Sequence, residues 1–182
     1  MIVGLIIKTF YLILPGIFAN TAPILFKHTF KFLAVPIDNN KTWNNKPIFG
    51  KNKTWRGMIL GILVGMLITY FQKYLYQFEA IKNISLINYA DINILLLGFL
   101  LGFGALAGDL VKSFFKRRVG IAPGQQFVPW DQIDSAVGGL LCLYIVYIPP
   151  IEVSILIIIM AFFLSRGITL LGYHTGLRKE KW

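Results

Sequence analysis

The fold class this sequence predicts is an all-α integral membrane protein, a bundle of five transmembrane helices with two basic cytoplasmic loops. Three observations predict it. Hydrophobic residues make up 56% of the 182, against about 45–50% in soluble domains. Five long runs are almost free of charge, and the 18 Lys+Arg, facing only 8 Asp+Glu, gather in alternate connections between those runs. The length fits one membrane-embedded domain over residues 1–182 and leaves no room for a separate soluble catalytic domain. Any chemistry must therefore sit on the bundle.

The first span, about 5–26, contains the run Phe10 to Phe26 after Lys8. Lys8 lies within the apolar stretch and no small-x-small cleavage site follows, so the segment reads as a retained span rather than a leader. Pro15 and Pro23 are expected to bend or break it where neighbouring helices satisfy the freed backbone. A basic loop, about 27–56, carries Lys27, Lys31, Lys41, Lys46, Lys51, Lys53 and Arg56, and its Asn/Lys-rich stretch 39–52 reads as solvated loop without strands. The second span is about 57–75. The third, about 92–108, lies between Asp91 and Asp109, and a second basic loop, about 109–134, follows with Lys112, Lys116, Arg117 and Arg118. The fourth, about 135–151, lies between Asp134 and Glu152 and holds the single cysteine, Cys142, which reads as packing. The fifth, about 153–173, is interrupted only by Arg166 and is followed by Arg178, Lys179 and Lys181. Each run is near the lower end of the roughly 17–25 residues that a bilayer helix needs.

Sidedness follows from the positive loops. An odd number of spans with alternate basic connections puts the N-terminus outside and the C-terminus in the cytoplasm, in a multi-pass protein of the cell membrane. The two long basic loops then share the cytoplasmic face. A formal charge of +10 points to anionic headgroups or phosphates as partners. Nucleic acid is not expected, because the cations sit in short loops between apolar runs and no nucleic-acid module is visible.

Candidate chemistry concentrates between residues 109 and 134. If the third span continues as helix past Gly108, Asp109, Lys112, Ser113 and Lys116 fall at i, i+3, i+4 and i+7, one polar stripe opposite Leu110, Val111, Phe114 and Phe115. The plainer reading of that stripe is an interfacial helix end with snorkelling lysines. Arg117 and Arg118 precede a turn through Pro123-Gly124, which is either a phosphate cradle or an ordinary loop. Asp131 and Asp134, three apart before an apolar run, can project from one face; they can equally cap the helix that starts there. Hard oxygen ligands opposite dense cations are what a magnesium-nucleotide site requires. In the first loop, Gly50-Lys51-Asn52-Lys53-Thr54-Trp55-Arg56-Gly57 lacks the Walker spacing, so a P-loop hydrolase is excluded. Lys53 and Arg56 can still meet phosphate oxygens there, or simply anchor the loop on the positive side.

With these clusters in view, the sequence resembles the CDP-archaeol synthase family, relatives of the phosphatidate cytidylyltransferases. The strings that carry the resemblance are Ala19-Asn20-Thr21-Ala22-Pro23, the stretch from Ile48 and Phe49 through Gly57, and the run from Gly108-Asp109-Leu110-Val111-Lys112-Ser113 through Lys116-Arg117-Arg118 and Pro123-Gly124 to Asp131-Gln132-Ile133-Asp134. It covers almost the whole chain. The resemblance implies transfer of a cytidylyl group from CTP to a membrane-embedded lipid phosphate, unsaturated archaetidic acid, with release of pyrophosphate and a requirement for Mg2+. It implies Asp109, Asp131 and Asp134 as metal-site acids, with Asp131, Asp134 and Lys116 at the catalytic centre. Lys53, Arg56, Lys112, Arg117 and Ser113 match positions for substrate phosphate. The chain departs from the wider cytidylyltransferase pattern at Ile121-Ala122, at Gln125-Gln126-Phe127-Val128 and at Gln132, where the diacylglycerol enzymes carry arginine. The Asp-Gln-x-Asp form is similar to the archaeal branch and favours an ether lipid over phosphatidic acid. Asn44-Asn45-Lys46 stands where relatives often have an Asp-Gly turn.

The physical case is coherent beside the resemblance. Phosphoryl chemistry of this kind needs positioning and charge neutralisation rather than a covalent nucleophile, and His28 and His174 read as interfacial residues. Arg166, a cation within the fifth span, is expected to face the bundle interior and reach an acid or the lipid phosphate, or else to snorkel. Making CDP-diacylglycerol from phosphatidic acid is the nearest alternative. A small transporter would use the same acids and Arg166 as a pathway, but no inverted repeat is evident and the acids gather at a loop.

Overall fold

The computed structural model describes residues 2–122 and 125–176; Pro123, Gly124 and the cations Arg178, Lys179 and Lys181 lie outside the described residues. In chain order the elements are α1 (Ile2–Leu25), a 3-10 turn (Lys31–Leu33), β1 (Thr42–Trp43), β2 (Lys46–Pro47), α2 (Trp55–Leu75), α3 (Glu79–Ile84), α4 (Ile94–Arg118), α5 (Trp130–Leu143) and α6 (Ile151–His174). Among the described residues, four of these helices, α1, α2, α4 and α6, are long and apolar enough to cross a membrane.

The expected five-span count therefore needs correcting at the fourth position. α5 begins before the expected span and ends well short of it, at 14 residues, or about 21 Å of helix where a hydrocarbon core of about 30 Å must be crossed. The chain leaves α5 at Tyr144, five residues before Pro149, and restarts after Pro150; proline disfavours helix in the residue before it, so Pro149 and Pro150 keep α5 and α6 from joining into one helix. The Tyr144 hydroxyl lies 3.0 Å from Ser154 Oγ and ties the end of α5 to the start of α6. Even so, α5 leaves the end of the bundle that α6 returns to, so the alternation of passes survives.

The third helix departs the other way. α4 runs to Arg118, ten residues beyond its apolar stretch, so the second basic loop shrinks to residues 119–129. Ion pairs along its polar stripe make this extension tolerable near lipid. α1 is continuous through Pro15 and Pro23, neither of which breaks it. Side-chain caps start two helices: Thr54 accepts from Gly57 N at 3.2 Å for α2, and Asn93 accepts from Leu96 N at 3.1 Å for α4.

The apolar core lies toward one end of the bundle, where Leu12, Leu97, Leu143 and Val153 are almost wholly buried among Ile87 and Tyr89 of the α3–α4 connection. Tyr11 and Tyr89 meet edge-on at 6.2 Å, and Gln72 Nε2 donates to Tyr11 O at 2.5 Å. The outer faces carry exposed Leu63, Leu67, Leu95 and Phe163. So much exposed apolar surface suits lipid as the solvent.

The first basic loop is more ordered than its composition predicts. β1 and β2 pair antiparallel, Thr42 opposite Pro47 and Trp43 opposite Lys46. The two-residue turn between them is Asn44-Asn45, with φ of 50° and 57°. Positive φ at both positions is the hairpin geometry that asparagine tolerates, so this stretch forms a tight turn rather than a solvated loop. Asp38 organises the rest, accepting from Asn40 N at 3.0 Å, Phe49 N at 2.9 Å and Gly50 N at 3.0 Å.

Candidate active site

At the end of the bundle away from the apolar core, a cavity of about 630 Å³ opens among the C-terminal end of α1, the N-terminal end of α2, the last turns of α4, the first turn of α5 and the returning half of α6. Its wall includes Lys53, Arg56, Asp109, Lys112, Lys116, Asp131, Asp134 and Arg166.

The close approach that builds the site is a backbone crossing. A Cβ on Gly108 would lie 2.1 Å from the carbonyl oxygen of Asp134, and one on Gly138 would lie 2.2 Å from that of Gly104. No side chain fits at either place, so α4 and α5 touch backbone to backbone, and Asp109, one residue past the contact, comes beside Asp134.

The acids of α4 and α5 then converge on one ammonium. Lys112 Nζ lies 3.0 Å from Asp109 Oδ1, 3.0 Å from Asp131 Oδ1 and 2.7 Å from Asp134 Oδ2. Lys53 reaches in from the first loop to pair with Asp109 Oδ2. Lys116 Nζ donates to Asp131 Oδ1 at 3.0 Å and Oδ2 at 3.1 Å, and to the carbonyl of Gln125 at 2.5 Å. Asp134 Oδ1 also accepts from Ser135 N at 2.7 Å, and Asp131 Oδ2 from Phe127 N at 2.6 Å. Three carboxylates and three ammonium groups thus form one neutral lattice, mostly withdrawn from solvent, in which opposite charges compensate each other's loss of water. Asp131 is not the cap of α5, a position held by Pro129.

The residues singled out from sequence separate into two groups. Asp109, Asp131, Asp134, Lys53, Lys112 and Lys116 come together. Arg56 lines the same cavity and donates to the carbonyls of Lys27 at 2.6 Å and Thr29 at 3.2 Å, holding the end of α1. Arg166 lines it from α6 beside Ser165 and Thr169. Ser113 and Arg117, by contrast, are buried and do not line the cavity. Helical geometry explains the split: at about 100° per residue, Lys112 and Lys116 lie about 60° and 20° to one side of Asp109, whereas Ser113 and Arg117 lie about 40° and 80° to the other.

Two residues have a structural leverage on the site that the sequence did not reveal. Arg118 grips the hairpin: it donates to the carbonyls of Trp43 at 2.8 Å, Lys46 at 3.2 Å and Pro47, and Lys46 Nζ returns a bond to Arg118 O at 2.9 Å. Asp38 holds the loop segment that leads to Lys53, accepting from Phe49 N and Gly50 N. Its signal was present, as the sole acid among seven cations of residues 27–56.

The chemistry of these groups suits a divalent cation and a polyphosphate. Three hard carboxylates within reach of one point are the donor type magnesium prefers, and the cations around them match phosphate oxygens. In the present arrangement no three acids, histidines or cysteines among the described residues are disposed to hold an ion, and the ammonium of Lys112 stands among the oxygens of the three acids. A second cavity of about 110 Å³, largely apolar, lies among α1, α4, α5 and α6 and shares Asn20, Gln132, Asp134, Ser165 and Thr169 with the first.

Comparison with known proteins gives a consistent picture. A family model described as CarS-like, CDP-archaeol synthase, matches residues 2–182. Among similar proteins are CDP-archaeol synthases of Pyrococcus furiosus, 33% identical over 178 residues covering 97% of this chain and 98% of that one, and of Methanocaldococcus jannaschii, 30% identical over 183 residues covering 100% of both. A solved structure of an intramembrane enzyme for archaeal membrane lipids biosynthesis superimposes with a TM-score of 0.72 over 88% of this chain and 91% of that one, at 22% identity. That likeness speaks to the fold.

Proposed function

The chain belongs to the CDP-archaeol synthase family, and from that premise we propose that the cavity around Asp109, Asp131 and Asp134 is where a cytidylyl group passes from CTP to an isoprenoid lipid phosphate. The protein is a CTP-dependent cytidylyltransferase of archaeal-type lipid synthesis, making a CDP-archaeol-type lipid and pyrophosphate. We take the acceptor to be unsaturated archaetidic acid, 2,3-bis-O-(geranylgeranyl)-sn-glycerol 1-phosphate. The observation that supports this site is the single lattice of three carboxylates and three ammonium groups facing a cavity at the helix ends.

A phosphate oxygen of the lipid attacks the α-phosphorus of CTP in line. The new P–O bond forms as the bond to the oxygen bridging the α- and β-phosphorus atoms breaks, and pyrophosphate leaves. The attacking oxygen is already anionic, so no general base is required, and catalysis rests on positioning and on neutralising charge. Asp109, Asp131 and Asp134 would hold magnesium, which when bound offsets charge on the triphosphate and leaving group. Lys53, Arg56 and Lys112 line the side from which phosphate approaches. Lys116 positions Asp131 and pins the 119–129 loop through Gln125. Arg166, reaching the cavity from α6, is placed to meet the lipid phosphate. The apolar cavity sharing Asp134 and Gln132 with the polar one supports a lipid that arrives from within the membrane while CTP arrives from water. We further assign the polar end to the cytoplasm, with the N-terminus outside, from the basic loops that gather there.

The test is purified protein in detergent with labelled CTP, magnesium and a panel of lipid phosphates. Lipid-linked CMP is expected with the isoprenoid ether phosphate. Product with phosphatidic acid alone would reassign the acceptor, and none with any lipid would sink the reading. Asp134→Asn is expected to abolish turnover while leaving membrane insertion intact; near-normal activity would remove Asp134 from the site.

A further inference from the structure

We propose that Lys112 is a resident counter-ion that keeps divalent metal out of the Asp109, Asp131 and Asp134 cluster until nucleotide phosphate draws its ammonium away, so that the protein takes up metal only together with nucleotide. The proposal rests on the reading of those acids as the metal site.

The geometry carries it. Lys112 Nζ lies within ion-pair distance of one oxygen from each acid, at 3.0, 3.0 and 2.7 Å, with its side chain only 14% exposed. A magnesium ion bound to these oxygens would lie about 2.0–2.1 Å from them, which is the space the ammonium fills. Lys112 and a divalent ion cannot share it. Nor does the cluster call for more positive charge, since Lys53, Lys112 and Lys116 already balance the three carboxylates. A divalent ion added with all three lysines in place leaves uncompensated positive charge in a partly buried site.

Displacing Lys112 alone is equally unfavourable, because its ammonium would lose three carboxylates and gain only water. A triphosphate changes that balance. Lys112 lies on the cavity wall with Lys53, Arg56 and Lys116, and its four-carbon stem lets the ammonium swing from the acids to a phosphate oxygen a short distance away. The carboxylates then become free to take a divalent ion as the nucleotide settles. Metal and nucleotide are linked, and linkage is reciprocal: each raises the affinity of the other by the same factor.

Mn2+ is the probe, its free concentration read by electron paramagnetic resonance against full-length protein in detergent, with no lipid acceptor and therefore no turnover. Nucleotide-free wild type is expected to bind Mn2+ more weakly than Lys112→Gln or Lys112→Met, by a factor of about 5–150, the usual range of such couplings. Adding CTP should tighten Mn2+ binding to the wild type beyond the Mn2+–CTP baseline, and by a much smaller factor in the variants. Nucleotide-free wild type binding Mn2+ as tightly as the variants overturns the proposal. If neither variant yields folded protein, the wild type decides alone: a melting temperature raised by Mn2+ without nucleotide is evidence against the counter-ion, and one raised only with CTP present is evidence for it. Asp134→Asn placed in the Lys112→Gln background separates the two levels. Loss of nucleotide-free Mn2+ binding keeps the acids as ligands, whereas its survival overturns the metal reading itself and the proposal with it.

Discussion

Arg118, the last residue of α4, donates to the carbonyl of Trp43 at 2.8 Å while its guanidinium carbon lies 5.7 Å from the centre of the same residue's ring. Phe114, one turn back on α4, completes the grip: the guanidinium carbon lies 5.0 Å from its ring centre, and the Trp43 and Phe114 rings are 5.6 Å apart. One cation therefore fastens the hairpin of the first loop to the helix that carries Asp109 and Lys112, and the same loop delivers Lys53 to Asp109.

Arg118→Ala is expected to loosen that delivery without touching the acids. Hydrogen bonds of this kind contribute about 0.5–1.5 kcal/mol each, and an exposed cation–aromatic contact about 0.5–1 kcal/mol. Steady-state kinetics should show KM for CTP rising several-fold with a smaller change in kcat, and Arg118→Lys should recover little because it lacks the fork that reaches several carbonyls. An unchanged KM would mean that the hairpin plays no part in nucleotide binding.

Asp38 makes the loop sensitive to acid. Its burial raises the carboxyl, but the N–H groups of Gly50, Phe49 and Asn40 outweigh that effect and hold it below the ordinary carboxylate value. A pKa lowered by folding contributes stability that is complete above the unfolded value, near 3.9, and is lost as pH falls through the folded one. Asp38→Asn should therefore melt lower than wild type by a gap that is constant from about pH 7 to pH 5 and narrows below about pH 4. A gap that persists undiminished at pH 3 would assign the loss to something other than the ionised carboxylate.

Much of this was legible in the sequence because the signals are local. Charge-free runs marked α1, α2, α4 and α6 to within a few residues at their apolar ends, and helical spacing alone put Asp109, Lys112 and Lys116 on one face. What escaped depended on contacts between distant segments. Ser135 to Ile151 is as free of charge as a full span, yet its helix ends at Leu143 and a new one begins only at Ile151. Arg117 and Arg118 are one basic pair in sequence and part company in space, one buried and the other clamping a hairpin seventy-odd residues upstream. The convergence of three acids on Lys112 depends on how closely α4 approaches α5, which no spacing within either helix encodes.

Topology offers a direct measurement. With Cys142 replaced by serine, a cysteine at Lys41 in the first basic loop and one at Asn88 beyond α3 lie at opposite ends of the bundle, both at exposed positions. The assignment of the polar end to the cytoplasm predicts that Asn88→Cys reacts with an impermeant thiol reagent in intact cells, and that Lys41→Cys reacts only after the membrane is opened. The reverse pattern would turn the protein over and place the CTP site outside.

Gly108→Ala tests the crossing that assembles the acids. A methyl there would meet the carbonyl oxygen and carbon of Asp134 at 2.1 and 2.9 Å, and because these are backbone atoms no rotamer change relieves the clash. The two helices must part, at a cost of about 1–3 kcal/mol by analogy with overpacked cores. Separation carries Asp134 away from Asp109 and Lys112, so the loss of activity should exceed the loss of stability. Gly4→Ala in α1, where an added methyl meets nothing within 4 Å, serves as the control and should keep both. A Gly108→Ala protein that melts a few degrees lower but turns over normally would show that the acids tolerate more separation than the lattice implies; inactivity with a nearly native melting temperature would show that the spacing of α4 and α5 is set for the reaction.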